Sequence, residues 1–315
     1  MNEYQSYLIQ EFADEFQEGH MSRRQLLRRA VLIMGSVPAG LSALAMFGCG
    51  DDDDVQEATK AANTPEPALT LAPTAGVSVA AGSPTVAGGT VQTSDVKFKG
   101  PGSDLLGYLA RPPGAGPFPG IVIIHENRGL NDHTKDIARR YAAEGFAGLA
   151  VDLVSRAGGS KPDASANTGI LGSANIADFV ADMVAYVDYT AGLDFVKKGG
   201  VGVTGFCFGG GYCFDTAVES SKVKAAIPYY GTCRQKDKLA TTQAAVLAFY
   251  GALDTRITGE AEAVKASLAK NGRPSEIKIY DGANHAFFND TGASYNETAA
   301  KDSWAKALAW FRQYV

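Results

Sequence analysis

The chain has 315 residues, 45% of them hydrophobic, 20% charged and 10% aromatic, a composition that excludes a wholly disordered, collagen-like or multi-spanning membrane protein. Its 29 Lys and Arg against 34 Asp and Glu give a formal net charge of -5, without the basic surplus of a nucleic-acid partner. Four cysteines without a C-x-x-C pair make neither a disulfide scaffold nor a structural zinc site.

The one basic cluster near the N-terminus is Arg23-Arg24-Gln25-Leu26-Leu27-Arg28-Arg29, followed by an apolar run from Ala30 to Phe47 broken by Gly35, Pro38 and Gly40. Charge followed by a moderately apolar run reads as a targeting segment, and the paired arginines resemble a twin-arginine export signal. A single membrane anchor is the other reading, although the run is short for a hydrocarbon core about 30 Å thick. Cys49, after Gly48, resembles the lipidated cysteine of bacterial lipoproteins, with Met46 and Phe47 departing from the small and branched residues usual there; simple cleavage near Cys49 is the alternative. Residues 51–94 are Ala-, Thr-, Pro- and Gly-rich without an aromatic, and cannot bury enough apolar surface to offset ordering entropy. Residues 1–50 are thus expected to be an export signal with lipidation at Cys49, 51–94 a flexible linker and 95–315 the folded domain. The domain is expected on the periplasmic or extracellular face, monomeric, and touching a membrane only through an N-terminal lipid.

Within the domain, Val96 to Lys99 and Leu105 to Ala110 read as paired strands. Gly120 to Ile124 is a β-branched run typical of a strand buried on both faces. A helix is expected from Thr134 to Glu144, a strand from Gly145 to Val151, and a long amphipathic helix from Ser173 to Leu193. Val201 to Thr204 is a strand with a helix after it from about Phe208. Strands follow at Val223–Tyr229, Ala245–Tyr250 and Glu276–Tyr280, with helices at Gly259–Lys270 and Glu297–Phe311. Such alternation predicts an α/β domain with a mostly parallel central sheet and helices on both faces. Ligands in such sheets bind beyond the carboxyl ends of the strands.

Gly205-Phe206-Cys207-Phe208-Gly209 sits between a strand and a helix, a G-x-S-x-G nucleophile elbow with cysteine in the serine position. A small buried hydrophobe in a glycine-rich turn is the alternative for Cys207. The helix N-terminus behind Cys207 favours a thiolate, and the Phe208 N–H is placed as an oxyanion donor. A thiol nucleophile needs a base and the base an orienting acid. Asp254 and His285 each follow a predicted strand, in the order expected of this elbow. Cys207, His285 and Asp254 are therefore the expected catalytic triad. The glycines are spaced for the elbow and not for a dinucleotide, and no cofactor or metal is expected.

These features, with His125-Glu126-Asn127-Arg128-Gly129-Leu130 after the central strand, resemble the dienelactone hydrolase (carboxymethylenebutenolidase-like) family of the α/β-hydrolase fold over roughly 95–315. The resemblance implies that Glu126 contacts the thiol and moves aside when substrate binds, and that the Asn127 N–H is the second oxyanion donor. A loop salt bridge from Glu126 to Arg128 or Arg156 is the alternative. Arg156 matches one of two arginines that hold a substrate carboxylate. At the position of the second stands Asn289, so Arg256 is considered a spatial substitute. The implied activity is hydrolysis of small esters or lactones through a thioester acyl-enzyme. A surface-tethered binding module on a silent hydrolase scaffold is the competing reading. Cys213 and Cys233 are candidates to pair after export, Cys213 being expected packed and reduced.

Overall fold

The run Gly120–Ile124 is buried at every residue and forms β5, a central strand of an eight-stranded sheet. The computed structural model describes residues 1, 3–17, 21–46, 85–86 and 89–315. Two compact units are present, one of residues 1–82 with 161–174, the other of 83–160 with 175–315.

In the second unit, β1 (Thr85–Val86) and β2 (Gly89–Thr90) form a small antiparallel pair. The main strands are β3 (Gln92–Lys99), β4 (Asp104–Arg111), β5, β6 (Ala147–Asp152), β7 (Val201–Phe206), β8 (Val223–Tyr229), β9 (Ala245–Gly251) and β10 (Ser275–Tyr280). Their order is β10-β9-β8-β7-β5-β6-β4-β3. Only the β3–β4 and β4–β6 pairings are antiparallel. β5, β6 and β7 are fully buried, as the continuous apolar runs of a sheet covered on both sides require.

Alternate residues of β7 look to opposite layers. A Cβ on Gly202 would lie 2.5 Å from the Phe311 ring, and the same face meets Tyr141, which packs on Phe311 and Trp304. These residues belong to the helices Asp132–Ala143 (α4) and Glu297–Tyr314 (α10). Gly205 faces the other way, against Gly209 of the helix Phe208–Glu219 (α7). There Tyr212 packs edge-on against Phe179 of the helix Ile176–Gly192 (α6).

Three helix starts depart from expectation, each at a capping side chain. The Asn131 carbonyl accepts the Thr134 N–H at 3.0 Å, so α4 begins before Thr134. Asn175 caps α6, which breaks the expected helix from Ser173; a separate helix, Ala164–Ser173 (α5), precedes it and groups with the N-terminal unit. Asp254 caps a short helix Thr255–Thr258 (α8), and Ala261–Leu268 (α9) follows. Gly169 and Gly172 lower the helix propensity of α5, which explains why sequence pattern alone passes it over.

The first unit contains α1 (Glu3–Gln17), α2 (Arg23–Met34) and α3 (Val37–Ala45) besides α5. Ser22 and Gln25 form a reciprocal capping box at the start of the arginine cluster. The apolar run is not one helix: the chain bends by 113° between α2 and α3, past Gly35, which adopts the left-handed conformation glycine tolerates. No single helix among the described residues is long and apolar enough to cross a membrane. Cys49 and nearly all of the expected linker lie outside the described residues.

Candidate active site

Four strand ends build the site. β7 runs into Cys207, which holds φ 55 and ψ -117 immediately before α7. A non-glycine residue at such an angle costs about 1–3 kcal/mol and is kept only where its surroundings over-determine it. Here the Cys207 N–H donates to the Tyr229 carbonyl at 3.0 Å, and its carbonyl accepts the Gly210 and Gly211 N–H groups of α7. The turn needs its glycines. A Cβ on Gly205 would lie 2.0 Å from the Gly209 carbonyl oxygen, and one on Gly209 would lie 2.5 Å from the Ile124 and His125 carbonyl oxygens.

The β5 and β7 strands are in register with Ile124 opposite Gly205. Asn127 and Phe208, each three residues further on, follow from the same edge of the sheet. Phe208 is the first residue of α7, where an N–H lies outside the helical ladder and points out of the helix end. His125 fixes the adjoining loop. Its Nδ1–H donates to the Glu126 carbonyl, and its Nε2 accepts the Leu153 N–H at 3.1 Å. That pairing sets the neutral tautomer, and burial lowers the imidazole's proton affinity despite nearby Asp152 and Glu126. His125, to which no local sequence pattern assigns a role, ties the end of β5 to the loop after β6.

Asp254 follows β9 and His285 follows β10. Asp254 Oδ2 meets His285 Nδ1 at 2.6 Å, and Oδ1 caps α8 through the Ile257 N–H. Burial works against both charges. The His285 proton affinity nevertheless rises well above the ordinary imidazole range, because Asp254 and then Cys207 favour the cation. Asp254 is held below the usual carboxyl range against its own burial by His285, with Arg256 assisting. The other ring nitrogen, Nε2, is buried without a hydrogen-bond partner, and Cys207 is the second group favouring the imidazolium. Tyr230, at φ 37 and fully buried, sets its ring 5.1 Å from that of His285, the two planes tilted by 59°.

Of the three residues expected to contact substrate, Arg156 and Asn289 make side-chain hydrogen bonds within the protein. Arg156 spends its planar fork on Asp182, with Nε to Oδ2 at 2.7 Å and a second nitrogen to Oδ1 at 3.0 Å, and reaches Asp178 at 3.2 Å. Asp178 and Asp182 lie one turn apart on α6, so the helix presents both carboxylates to one guanidinium. Asn289 donates its side-chain N–H to Glu126 Oε2 at 2.8 Å. Arg256 lies on α8 and acts electrostatically on Asp254. Glu126 pairs with neither Arg128 nor Arg156; its Oε1 is buried without a hydrogen bond. Cys213 and Cys233 are buried free thiols. Burial pushes the Cys213 thiol up, and that of Cys233 up to about 12, which leaves both unreactive.

Arg156→Met is expected to lower stability by about 1–3 kcal/mol, since the side chain of Asp182, 4% exposed, loses its partner. KM for uncharged esters should stay within about twofold. Thermal denaturation and initial rates check the two halves; a large rise in KM would return Arg156 to the substrate.

A strained elbow, with acid and histidine beyond successive strands of a mostly parallel sheet, defines an α/β hydrolase. Residues 105–315 match the dienelactone hydrolase family model. The chain belongs to that family, whose members are hydrolases of the ester and lactone type. A candidate carboxymethylenebutenolidase of Escherichia coli O157 is 33% identical over 229 residues, 68% of this chain and 84% of that one. One of Synechocystis is 31% identical over 238 residues, 70% and 97%. Among solved structures, a candidate dienelactone hydrolase of Klebsiella pneumoniae superposes with a TM-score of 0.65 at 29% identity, covering 71% of this chain and 100% of that one. A dienelactone hydrolase-like promiscuous phosphotriesterase from metagenomic libraries gives 0.65 at 27% identity, covering 72% and 99%.

Proposed function

We propose that this hydrolase cleaves small esters or lactones through a thioester on Cys207, with His285 and Asp254 as its triad partners. The observation that carries the reading is the 2.6 Å Asp254–His285 contact, with the imidazolium favoured by Asp254 and Cys207 together. In the first half-reaction the sulfur of a thiolate–imidazolium pair adds to the carbonyl carbon. The resulting oxyanion is received by the Phe208 and Asn127 N–H groups. The carbon–oxygen bond to the alcohol then breaks, and the leaving oxygen takes the proton from His285 Nε2. In the second half His285 accepts a proton from water as its oxygen adds to the thioester carbonyl. The carbon–sulfur bond breaks, the carboxylic acid is released, and the thiolate–imidazolium pair is regenerated. In this reading Glu126 contacts the thiol at rest and yields its place when substrate enters. Arg156, Arg256 and Asn289 do not form an anion clamp in this reading, which favours uncharged acyl groups over a dienelactone carboxylate.

The test is hydrolysis of p-nitrophenyl acetate and small lactones by the wild type and by Cys207→Ala. Turnover lost in the variant supports the reading, and equal rates remove the nucleophile. Inactivity of both proteins would instead favour a tethered binding module on a silent scaffold. We also propose that the arginine-led N-terminus exports the protein and that Cys49 carries lipid. Mass spectrometry of the membrane fraction should find a diacylglycerol-modified peptide beginning at Cys49; an unmodified peptide spanning that position sinks the idea.

A further inference from the structure

Asn289 has an unambiguous orientation. Its side-chain carbonyl accepts both the N–H of Thr291, at 3.0 Å, and the Thr291 hydroxyl, at 2.6 Å. An amide that accepts at its oxygen must donate from its nitrogen, and here it donates to Glu126 Oε2. The two oxygens of Glu126 are therefore divided. Oε2 is tied to a neutral amide, whereas Oε1 is buried and unpaired. Leaving a buried acceptor unmet is costly, and such a group calls for a reason.

The turn that carries Asn289 is itself held. The next residue, Asp290, receives Arg140 of α4 at 2.5 Å and lies 3.3 Å from His133 Nδ1, and Arg140 is braced by Asp136 at 2.7 Å. Though burial opposes it, His133 and Arg140 bring the Asp290 carboxyl down to about 2. Hydrogen bonds from the Asn289 N–H to the Ala286 carbonyl, at 3.0 Å, and from the Asn296 N–H to the Phe287 carbonyl, at 2.9 Å, close the loop. An amide locked at its oxygen, on a turn locked by an ion pair, is poorly suited to adapt to a ligand and well suited to fix a neighbour.

We propose that Asn289, oriented by Thr291 and anchored through Asp290, is a positioning residue that acts on Cys207 only through Glu126. It would hold Oε2 so that Oε1 stays directed to the thiol, and it makes no contact with substrate. This rests on the proposed role of Cys207. The charged and titratable groups around the pair are Tyr230 from the loop after β8, with Glu126 and Cys207 both acting on its phenol, His125 from the end of β5, and His285 beside Cys207.

The experiment is a double-mutant cycle on the full chain with two readouts. One is the pH midpoint for iodoacetamide alkylation of Cys207, which needs no substrate; the other is kcat and KM on p-nitrophenyl acetate. Asn289→Leu should lower kcat/KM about 10- to 100-fold through kcat, the rate equivalent of one hydrogen bond to a charged group. It should also move the alkylation midpoint in the same direction as Glu126→Gln. In the Glu126→Gln background, Asn289→Leu should change either readout by less than about twofold, because a residue acting through another has nothing left to lose. Thr291→Ser should match the wild type, and Thr291→Val should give a weaker form of the Asn289→Leu effect. Additive effects, or a raised KM with kcat intact, would put Asn289 on the substrate and overturn the proposal. Equal loss of melting temperature and kcat with an unmoved midpoint would reduce the turn to scaffold, and overturn it too. Should the wild type show no Cys207-dependent turnover, the hydrolytic reading fails while the alkylation cycle still decides the role of Asn289.

Discussion

Cys207→Ser is expected to lower kcat/KM on p-nitrophenyl acetate by about 10³-fold or more, even though serine is the commoner residue at such an elbow. A hydroxyl attacks only if a neutral imidazole removes its proton as it adds. His285 is tuned the other way. Although burial disfavours its cation, Asp254 and Cys207 raise its proton affinity well above the ordinary range. Removing the sulfur takes away one of the groups favouring the cation, but Asp254 remains 2.6 Å from Nδ1. The serine enzyme would thus pair a weakly acidic nucleophile with a base already carrying a proton. Cys207→Ala should fall at least as far, leaving only what oxyanion donors and binding provide. Both variants should keep the wild-type melting temperature within a few degrees, which separates lost chemistry from lost fold. A serine enzyme as fast as the wild type would mean that the site works by neutral base catalysis, and the ion-pair account would go.

The elbow was legible because everything that makes it is local. A buried strand, two glycines around a cysteine and a helix start lie within ten residues, and the strain at Cys207 follows from that succession. Asp254 and His285 were legible for a different reason, since chain order and position after predicted strands place them on one edge of a parallel sheet. Partnerships across long separations were not legible. Nothing near Asn289 in sequence indicates that its amide would close on Glu126. Arg156 shows the same limit, because the Asp178–Asp182 pair that occupies it becomes its neighbour only once α6 docks. The same holds for Asp290 with Arg140 and His133: three ordinary polar residues on two elements become an anchor only in the fold. Helix starts erred where a single cap decides them, at Asn131, Asn175 and Asp254, and local pattern weighs such residues too lightly.

Asp254→Asn should move the alkaline limb of the kcat/KM profile to lower pH and cut its maximum by about 10³- to 10⁴-fold. The substitution leaves a group of the same shape beside Nδ1 but removes the anion, the main influence that raises the imidazole's proton affinity against burial. His285 then gives up its proton sooner as pH rises, and the acid that protonates the leaving oxygen is lost earlier. Stability should report the same linkage with a definite sign. A histidine whose folded proton affinity is raised contributes stability that is complete below its ordinary value of 6.5 and is lost as pH climbs through the higher folded value. Asp254, lowered from 3.8, contributes stability that is present above that value and is lost as pH falls through the lower folded one. The wild type should therefore lose melting temperature at both ends of the range, and the asparagine variant should show a flatter curve at both. Because one contact generates both limbs, flattening at the acid end alone would mean that Asp254 is ionised for reasons of its own, such as capping α8, and that His285 draws its proton affinity from elsewhere.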